Sequence, residues 1–355
     1  GNTALAGGLF ACESPVQARE RIVADSDLLF KKAMDWAHWS HIDPAILRAF
    51  LKKSGDTIRW LEAKGLEFNL IRLYPDQQPP VQHNPRGNGA HLIKVLAWNC
   101  RDKGVQIFLQ NACKKIIRGK DGKITGVLAA KDDEEIEIKT GCTIIATGGF
   151  AGNHELLKKY FPSYCEGLSL SCLPLTGDGI FLAKEVGAAV EDFATMVKEG
   201  PRFDRHKWPL MTFERDPNTV WVNKEGRRFI DEEIGFHVFE SVNAMLRQPD
   251  KVSYALFDAT VRKMFEEKMP ALEKALQVEE GKGRVKIAGS WDEIARWIGA
   301  EPEVLKDTIS QYNAFCRQGY DECFAKERRY LKPLQNPPYY AIRGLAVMLD
   351  TIGSI

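Results

Sequence analysis

A nearly continuous apolar run, Cys142-Thr143-Ile144-Ile145-Ala146, empties without a spacer into Thr147-Gly148-Gly149 and then into a helical stretch over residues 155–159. Apolar character without alternation marks a strand covered on both faces, so the run predicts a buried parallel strand of an α/β layer. A chain that must seat such a strand beside a glycine turn and a helix has few architectures open to it. At the turn a ligand can approach the backbone closely, because no Cβ stands in its way.

Two further glycine-rich turns occupy similar positions. Gly1-Asn2-Thr3-Ala4-Leu5-Ala6-Gly7-Gly8 opens the chain, and Thr176-Gly177-Asp178-Gly179-Ile180 starts a helix that closes at Gly187. Each alone is more often a tight structural turn than a ligand contact. Their joint occurrence carries more weight than any one of them.

Helical spacing of Leu28, Leu29, Ala33, Trp36 and Ala37, then of Ile46, Leu47, Phe50, Leu51, Ile58 and Leu61, predicts two helices, with Asp43-Pro44 supplying the cap and first turn of the second. Trp36, Trp39 and Trp60 are expected in the core or at helix contacts. Residues 91–103 form a third helix ended by Gly104. Strands are predicted at 105–109, 115–117, 124–130 and 136–138 around an Asp121-Gly122 turn, a β-meander appended to the α/β unit. From residue 190 to 334 strands and charged helices mix, including a buried strand at 254–258 and helices at 291–298 and 302–317. This stretch is expected to be a separate inserted domain, and residues 340–349 to re-enter a sheet.

Lys and Arg number 49 against 48 Asp and Glu, so no broad positive field favours nucleic acid or an anionic membrane, and a small-molecule partner is expected. No apolar run is long enough to span a bilayer, no targeting signal is visible, and a cytoplasmic location is the expectation. The eight cysteines include no C-x-x-C pair and no neighbouring histidine at ligand spacing, which argues for reduced thiols and against a zinc or iron–sulfur site.

In order along the chain stand Gly1-Asn2-Thr3-x-x-Ala6-Gly7-Gly8, Gly122-x-x-x-Gly126-Val127, Ala146-Thr147-Gly148-Gly149-Phe150 with Asn153, Thr176-Gly177-Asp178-Gly179 followed by Gly187-Ala188-Ala189, Val222-Asn223-x-x-Gly226-x-Arg228-Phe229, and Asp350-Thr351-Ile352-Gly353. This series resembles the FAD-dependent fumarate reductase/succinate dehydrogenase flavoprotein family. The resemblance implies an α/β fold: an interrupted Rossmann-like FAD-binding lobe with an appended β-meander (1–189), an inserted α+β cap domain (190–338), and a return to the lobe (339–355). It implies FAD as cofactor, held by Asn2, Thr3, Gly7 and Gly8 along the pyrophosphate and flavin, Ala112 at the adenine, and Ala146, Thr147, Gly148, Gly149 and Asn153 on the adenosine side. Thr176, Gly177 and Asp178 would stand near the flavin. The family's opening G-x-G-x-x-G strand-turn-helix and its closing segment are not in this sequence, so the expectation is a lobe truncated at both ends with an incomplete FAD site. Chemistry would be hydride exchange between flavin and substrate carbon, with a separate electron donor or acceptor as partner.

The sequence departs from a fumarate reductase where that family holds its dicarboxylate. Glu199-Gly200-Pro201 replaces a His-Pro-Thr motif, Asp231 replaces the asparagine of an Asn-Glu pair, the proton-donating arginine falls at Phe236 or His237, and Asp350 replaces a histidine. Each like-charge encounter at about 4 Å would cost about 4 kcal/mol at an effective dielectric of about 20. A substrate with fewer carboxylates, such as a neutral enone or ketone, is expected. Arg215, Glu199, His237 and Asp350 are the catalytic candidates; for Arg215 the competing reading is a surface salt bridge with Glu214 or Asp216, and for His237 a satisfied polar residue of the cap. Arg228 is expected to brace its motif. Two alternatives stand beside this one: a 3-ketosteroid dehydrogenase-like desaturase, and a non-catalytic flavin-binding or electron-transfer subunit.

Overall fold

The computed structural model describes residues 2–37, 39, 42–72, 78–132, 134–160, 169–170, 175–190, 197–199, 209–267 and 270–348. Two compact units emerge: residues 1–146 with 181–189, and residues 147–180 with 190–355.

In the first unit the helix boundaries follow the capping signals. Asp25 accepts a hydrogen bond from Leu28 N at 2.7 Å and starts the Ser26–Trp36 helix; Asp43 accepts from Ala45 N at 2.7 Å and starts Pro44–Glu62. Pro44–Glu62 buries Ile58 and Leu61, which pack with Val16, Leu66, Phe68 and Leu92 of the Asn88–Asp102 helix and neighbouring segments, and Leu51, which packs with Cys12, Ala24, Leu29 and Val81. Trp36, Trp39 and Trp60, expected in the core or at helix contacts, are 57%, 63% and 51% exposed. Trp36 and Trp60 fall off the buried faces of their helices, which the aliphatic residues fill, and Trp39 packs edge-on against Phe30 of the Ser26–Trp36 helix with ring centroids 6.3 Å apart.

The meander forms as expected, with Ala112–Arg118, Ile124–Lys131 and Glu134–Lys139 antiparallel in that order and Ile116 opposite Val127. Two expected strands do not. Residues 105–109 and 142–146 are not hydrogen-bonded into any sheet, and Leu109 and Ile144 are 72% and 92% exposed. An apolar strand is buried only when neighbours pair along its edges and cover its faces, and among the described residues nothing does so for these two runs.

In the second unit a six-stranded sheet runs Val285–Ala288, Tyr339–Met348, Val252–Asp258, Val220–Val222, with Ser169–Leu170 and Val197–Glu199 also paired to Tyr339–Met348. Val252–Asp258 is buried at every position, as expected of a strand covered on both faces. Trp221, Phe257, Phe265, Leu276, Ile294 and Tyr340 make up much of its core. The helices Trp291–Ile298 and Pro302–Gln318 end at Gly299 and Gly319, whose φ of 87° and 76° permit the left-handed stop.

This partition differs from the expected 1–189, 190–338 and 339–355. Tyr339–Met348 does not leave the expected cap, because its hydrogen bonds to Val252–Asp258 and Val285–Ala288 tie it to that sheet. Residues 147–180 also group with the second unit, where Phe150, Ala151, Leu157 and Ile180 pack on Val242 and Met245. Among the described residues no helix is long and apolar enough to cross a membrane.

Candidate functional site

The second and third glycine turns meet. Gly152 N donates to Leu175 O at 3.0 Å, and Asn153 Nδ2 donates to Thr176 O at 2.9 Å. Asn153 Oδ1 also accepts from Leu156 N at 3.1 Å, capping the His154–Tyr160 helix, so one side chain starts a helix and fixes the neighbouring turn. Thr176 Oγ1 donates to Asp178 Oδ1 at 2.7 Å. Gly148 and Gly177 take φ of 77° and 82°, a region that other residues enter at a cost; at Gly148 a Cβ would also press on Leu175 Cδ2 at 3.0 Å. Ala146, Thr147, Gly148, Thr176 and Asp178 are exposed and Gly149 half-buried, so the joined turns present polar backbone at a surface. Ala146 itself is the last residue of the first unit's opening stretch, and Thr147 begins the second.

The first turn belongs to the first unit. Residues Asn2–Leu5 form one 3-10 turn, and Gly89 N at the start of the Asn88–Asp102 helix donates to Ala6 O at 3.1 Å. A Cβ at Gly89 would overlap Thr3 O, so glycine is required for this approach. Asn84 Nδ2 holds Gly7 O at 2.7 Å. A Cβ at Gly8 would strike Gln82 Nε2 at 2.5 Å, whereas at Gly7 nothing lies within 4 Å. Gly7 therefore turns bare backbone to open space, the surface a flat or phosphorylated ligand needs. Ala112 lies apart in sequence, exposed, opposite Ala130 at the start of the meander. These residues fit FAD in kind: unencumbered amides and glycines at three turns, two of them bonded together.

Of the catalytic candidates, the structure describes three. Arg215 follows the Pro209–Glu214 helix and is half-buried beside a Glu214 that is 0% exposed, so the pair is not on an open surface. Asp216 accepts from Asn218 N at 2.9 Å and Asn218 Nδ2 at 2.6 Å within a turn. His237 links the 3-10 turn Glu232–Phe236 to the Val238–Leu246 helix; its N donates to Ile234 O at 2.8 Å and its O accepts from Ser241 N at 2.9 Å. Glu199 has its backbone in the Val197–Glu199 strand, opposite Leu345. Asp350 lies outside the described residues. Arg215 and the turn before His237 are close: a Cβ at Gly235 would stand 2.6 Å from Arg215 O.

Next to this pair is a network that the sequence did not disclose. Glu232, fully buried, accepts from Arg228 Nε at 2.8 Å and Nη2 at 2.7 Å, from Trp221 N at 3.0 Å and from Lys326 Nζ at 2.9 Å. Arg228 Nη1 reaches Asp321 at 2.7 Å, and Lys326 Nζ also donates to Thr219 O at 2.9 Å. Two cations and two carboxylates balance in a dry interior. Burial pushes the Glu232 carboxyl up, but Lys326 and Arg228, together with Trp221 N, outweigh it and hold the group below the usual carboxylate range. Arg228 thus sits on Glu232 and Asp321. Lys326 lies in the charged run Lys326-Glu327-Arg328-Arg329, which reads as solvated surface, and no local pattern marks it as buried.

The family model described as FAD binding domain matches residues 1–353. The chain is 27% identical over 361 residues to NADH:fumarate oxidoreductase of Klebsiella pneumoniae, covering all of this chain and 38% of that protein. It superposes on the open conformation of a flavocytochrome c3 fumarate reductase with a TM-score of 0.77 at 22% identity, covering 99% of this chain and 61% of the other. On 3-ketosteroid Δ1-dehydrogenase from Sterolibacterium denitrificans the TM-score is 0.76 at 18% identity, covering 100% and 82%. The shared fold is that of flavoprotein oxidoreductases, and the chain spans between 38% and 61% of the length of the two fumarate-reducing relatives.

Proposed function

This chain belongs to the FAD binding domain family, and on that premise we propose that it is part of an FAD-dependent oxidoreductase exchanging hydride with a carbon–carbon bond next to a carbonyl, on a substrate that is not a dicarboxylate. The observation that carries the reading is the bonded pairing of the Thr147–Asn153 and Leu175–Asp178 turns through Gly152 and Asn153. Residues separated by some twenty positions are held as one rim of exposed backbone, which suits a long nucleotide better than it suits two unrelated turns.

Asn2, Thr3, Gly7 and Gly8 would lie along the pyrophosphate and flavin, Ala112 at the adenine, Ala146 to Gly149 and Asn153 on the adenosine side, and Thr176, Gly177 and Asp178 near the flavin. FAD, when bound, supplies the hydride chemistry. The chain's own residues orient the substrate and handle the proton. Arg215 would polarise the carbonyl, or pass a proton to the carbon beside it and regain one from solvent. His237 would orient the carbonyl, with Glu199 and Asp350 giving the pocket carboxylates where fumarate reducers carry cations. A dicarboxylate would meet like charge there, and a neutral enone or ketone would not.

The test uses the full-length natural protein. Its visible spectrum should show a flavin band, and after anaerobic reduction a neutral enone should restore the oxidised band faster than fumarate does. Absence of flavin would overturn the cofactor assignment; faster reoxidation by fumarate would overturn the substrate class.

A further inference from the structure

The bonds around Lys326 lead, through Glu232 and Trp221, to Arg215 and His237. Its Nζ holds Glu232 at 2.9 Å and Thr219 O at 2.9 Å, with no solvent exposure at either side chain of the ion pair. Glu232 is the first residue of the 3-10 turn that ends at Phe236 and is capped by His237. The same carboxylate accepts Trp221 N at 3.0 Å, and Trp221 Nε1 donates to Glu214 O at 2.8 Å, the residue before Arg215. Gly235 in the turn backs onto Arg215 O and onto the Trp221 ring, where a Cβ would come to 2.6 Å and 3.2 Å. A displacement of Glu232 therefore moves the Arg215 carbonyl's contact surface and the start of the His237 peptide together.

We propose that Lys326 is a positioning residue of the active centre: by neutralising and gripping Glu232 it fixes the 3-10 turn, and so the spacing between Arg215 and His237. This rests on the reading of Arg215 and His237 as the active centre. The cluster holds Arg228 and Lys326 against Glu232 and Asp321. Loss of the lysine leaves two carboxylates facing one guanidinium, and Glu232 must then take a proton, admit water or shift. Each outcome loosens the turn while the sheet beneath it, built on Val252–Asp258 and Tyr339–Met348, keeps its own bonds.

The experiment compares Lys326→Met, the charge-balanced double variant Lys326→Met/Asp321→Asn, and Arg215→Ala in the FAD-loaded full-length enzyme, reading kcat, KM, flavin content and thermal midpoint. Lys326→Met is expected to lose kcat by at least about tenfold with little change in flavin content, since misplacement of about 1 Å can cost far more. The double variant should recover most of that kcat, because the cluster is neutral again. Should Lys326→Met not accumulate in folded form, Lys326→Gln is read in its place, a kcat loss at unchanged flavin content supporting the proposal and a natural kcat overturning it. Normal kcat in Lys326→Met with Arg215→Ala inactive overturns the positioning role only. So does a kcat loss that the double variant deepens rather than relieves, which would mark a packing defect. Full activity in Arg215→Ala overturns the active-centre reading and this proposal with it.

Discussion

Asn153 and Thr176 are joined by a 2.9 Å hydrogen bond from the amide of one to the carbonyl of the other, across 23 positions of sequence. The same amide group caps a helix through its oxygen at 3.1 Å, so both ends of the side chain are committed.

Asn153→Ala should therefore destabilise the second unit by about 1–2 kcal/mol, the cost of a cap plus a side-chain hydrogen bond. Asn153→Asp keeps the cap acceptor but cannot donate to Thr176 O, and should recover only part of the loss. Denaturant midpoints of the two variants check this, and flavin content should fall in both.

The buried charge cluster makes a harder prediction. Arg228→Met leaves Asp321 uncompensated and strips two bonds from Glu232, and should cost about 3–5 kcal/mol. Arg228→Lys should not rescue it, because a point charge cannot replace the two parallel bonds to Glu232. Thermal midpoints of the two variants should lie close together and well below that of the natural protein. The pH dependence follows from the lowered Glu232 carboxyl. Its stabilisation is present above the unfolded carboxylate range, and is lost as pH falls below about 4 through the still lower folded value.

His83 sets a second pH dependence, in the first unit. It is fully buried, its Nε2 lies 2.7 Å from Ser14 Oγ and its Nδ1 3.0 Å from Val81 O, and burial pushes its basicity below the ordinary 6.5. The unfolded chain then takes up a proton that the folded chain refuses, so stability is full above about pH 6.5 and declines as pH drops below it. His83→Gln should be less stable at pH 8 but should flatten the loss between pH 7 and 5 in urea titrations.

The exposed apolar runs at 105–109 and 142–146 predict behaviour in solution. A polypeptide of these 355 residues should bind a hydrophobic dye and self-associate. Leu109→Lys/Ile144→Lys should reduce both, with a change in thermal midpoint within the range of surface substitutions, because the two side chains are 72% and 92% exposed. Light scattering against concentration tests it; a large drop in midpoint would show that the runs are packed after all.

These particulars show how far the sequence could be read. Caps and turns are local, so Asp43-Pro44 and Asp121-Gly122 disclosed a helix and the meander close to their observed limits. The run at 105–109 read as a strand and that at 142–146 as a buried one because composition reports what a segment would gain from partners, not whether partners pair with it. Trp36 and Trp60 failed as core candidates because neighbouring aliphatic residues on the same helices filled the buried faces. Gly148, Gly177 and Asn153 were visible as a pattern of small residues. Lys326 was not, since burial of a lysine depends on Glu232, distant in sequence, arriving beside it.

The Tyr339–Met348 strand has a consequence for how the protein comes into being. Among the described residues, Val285–Ala288, Ser169–Leu170 and Val197–Glu199 find their only sheet partner in it, and it follows all three in the chain. Strands made more than a hundred residues earlier must wait on the ribosome, unpaired, until this one emerges. Nascent chains arrested before residue 339 should be held by chaperones more strongly than those in which residues 339–348 have left the ribosome.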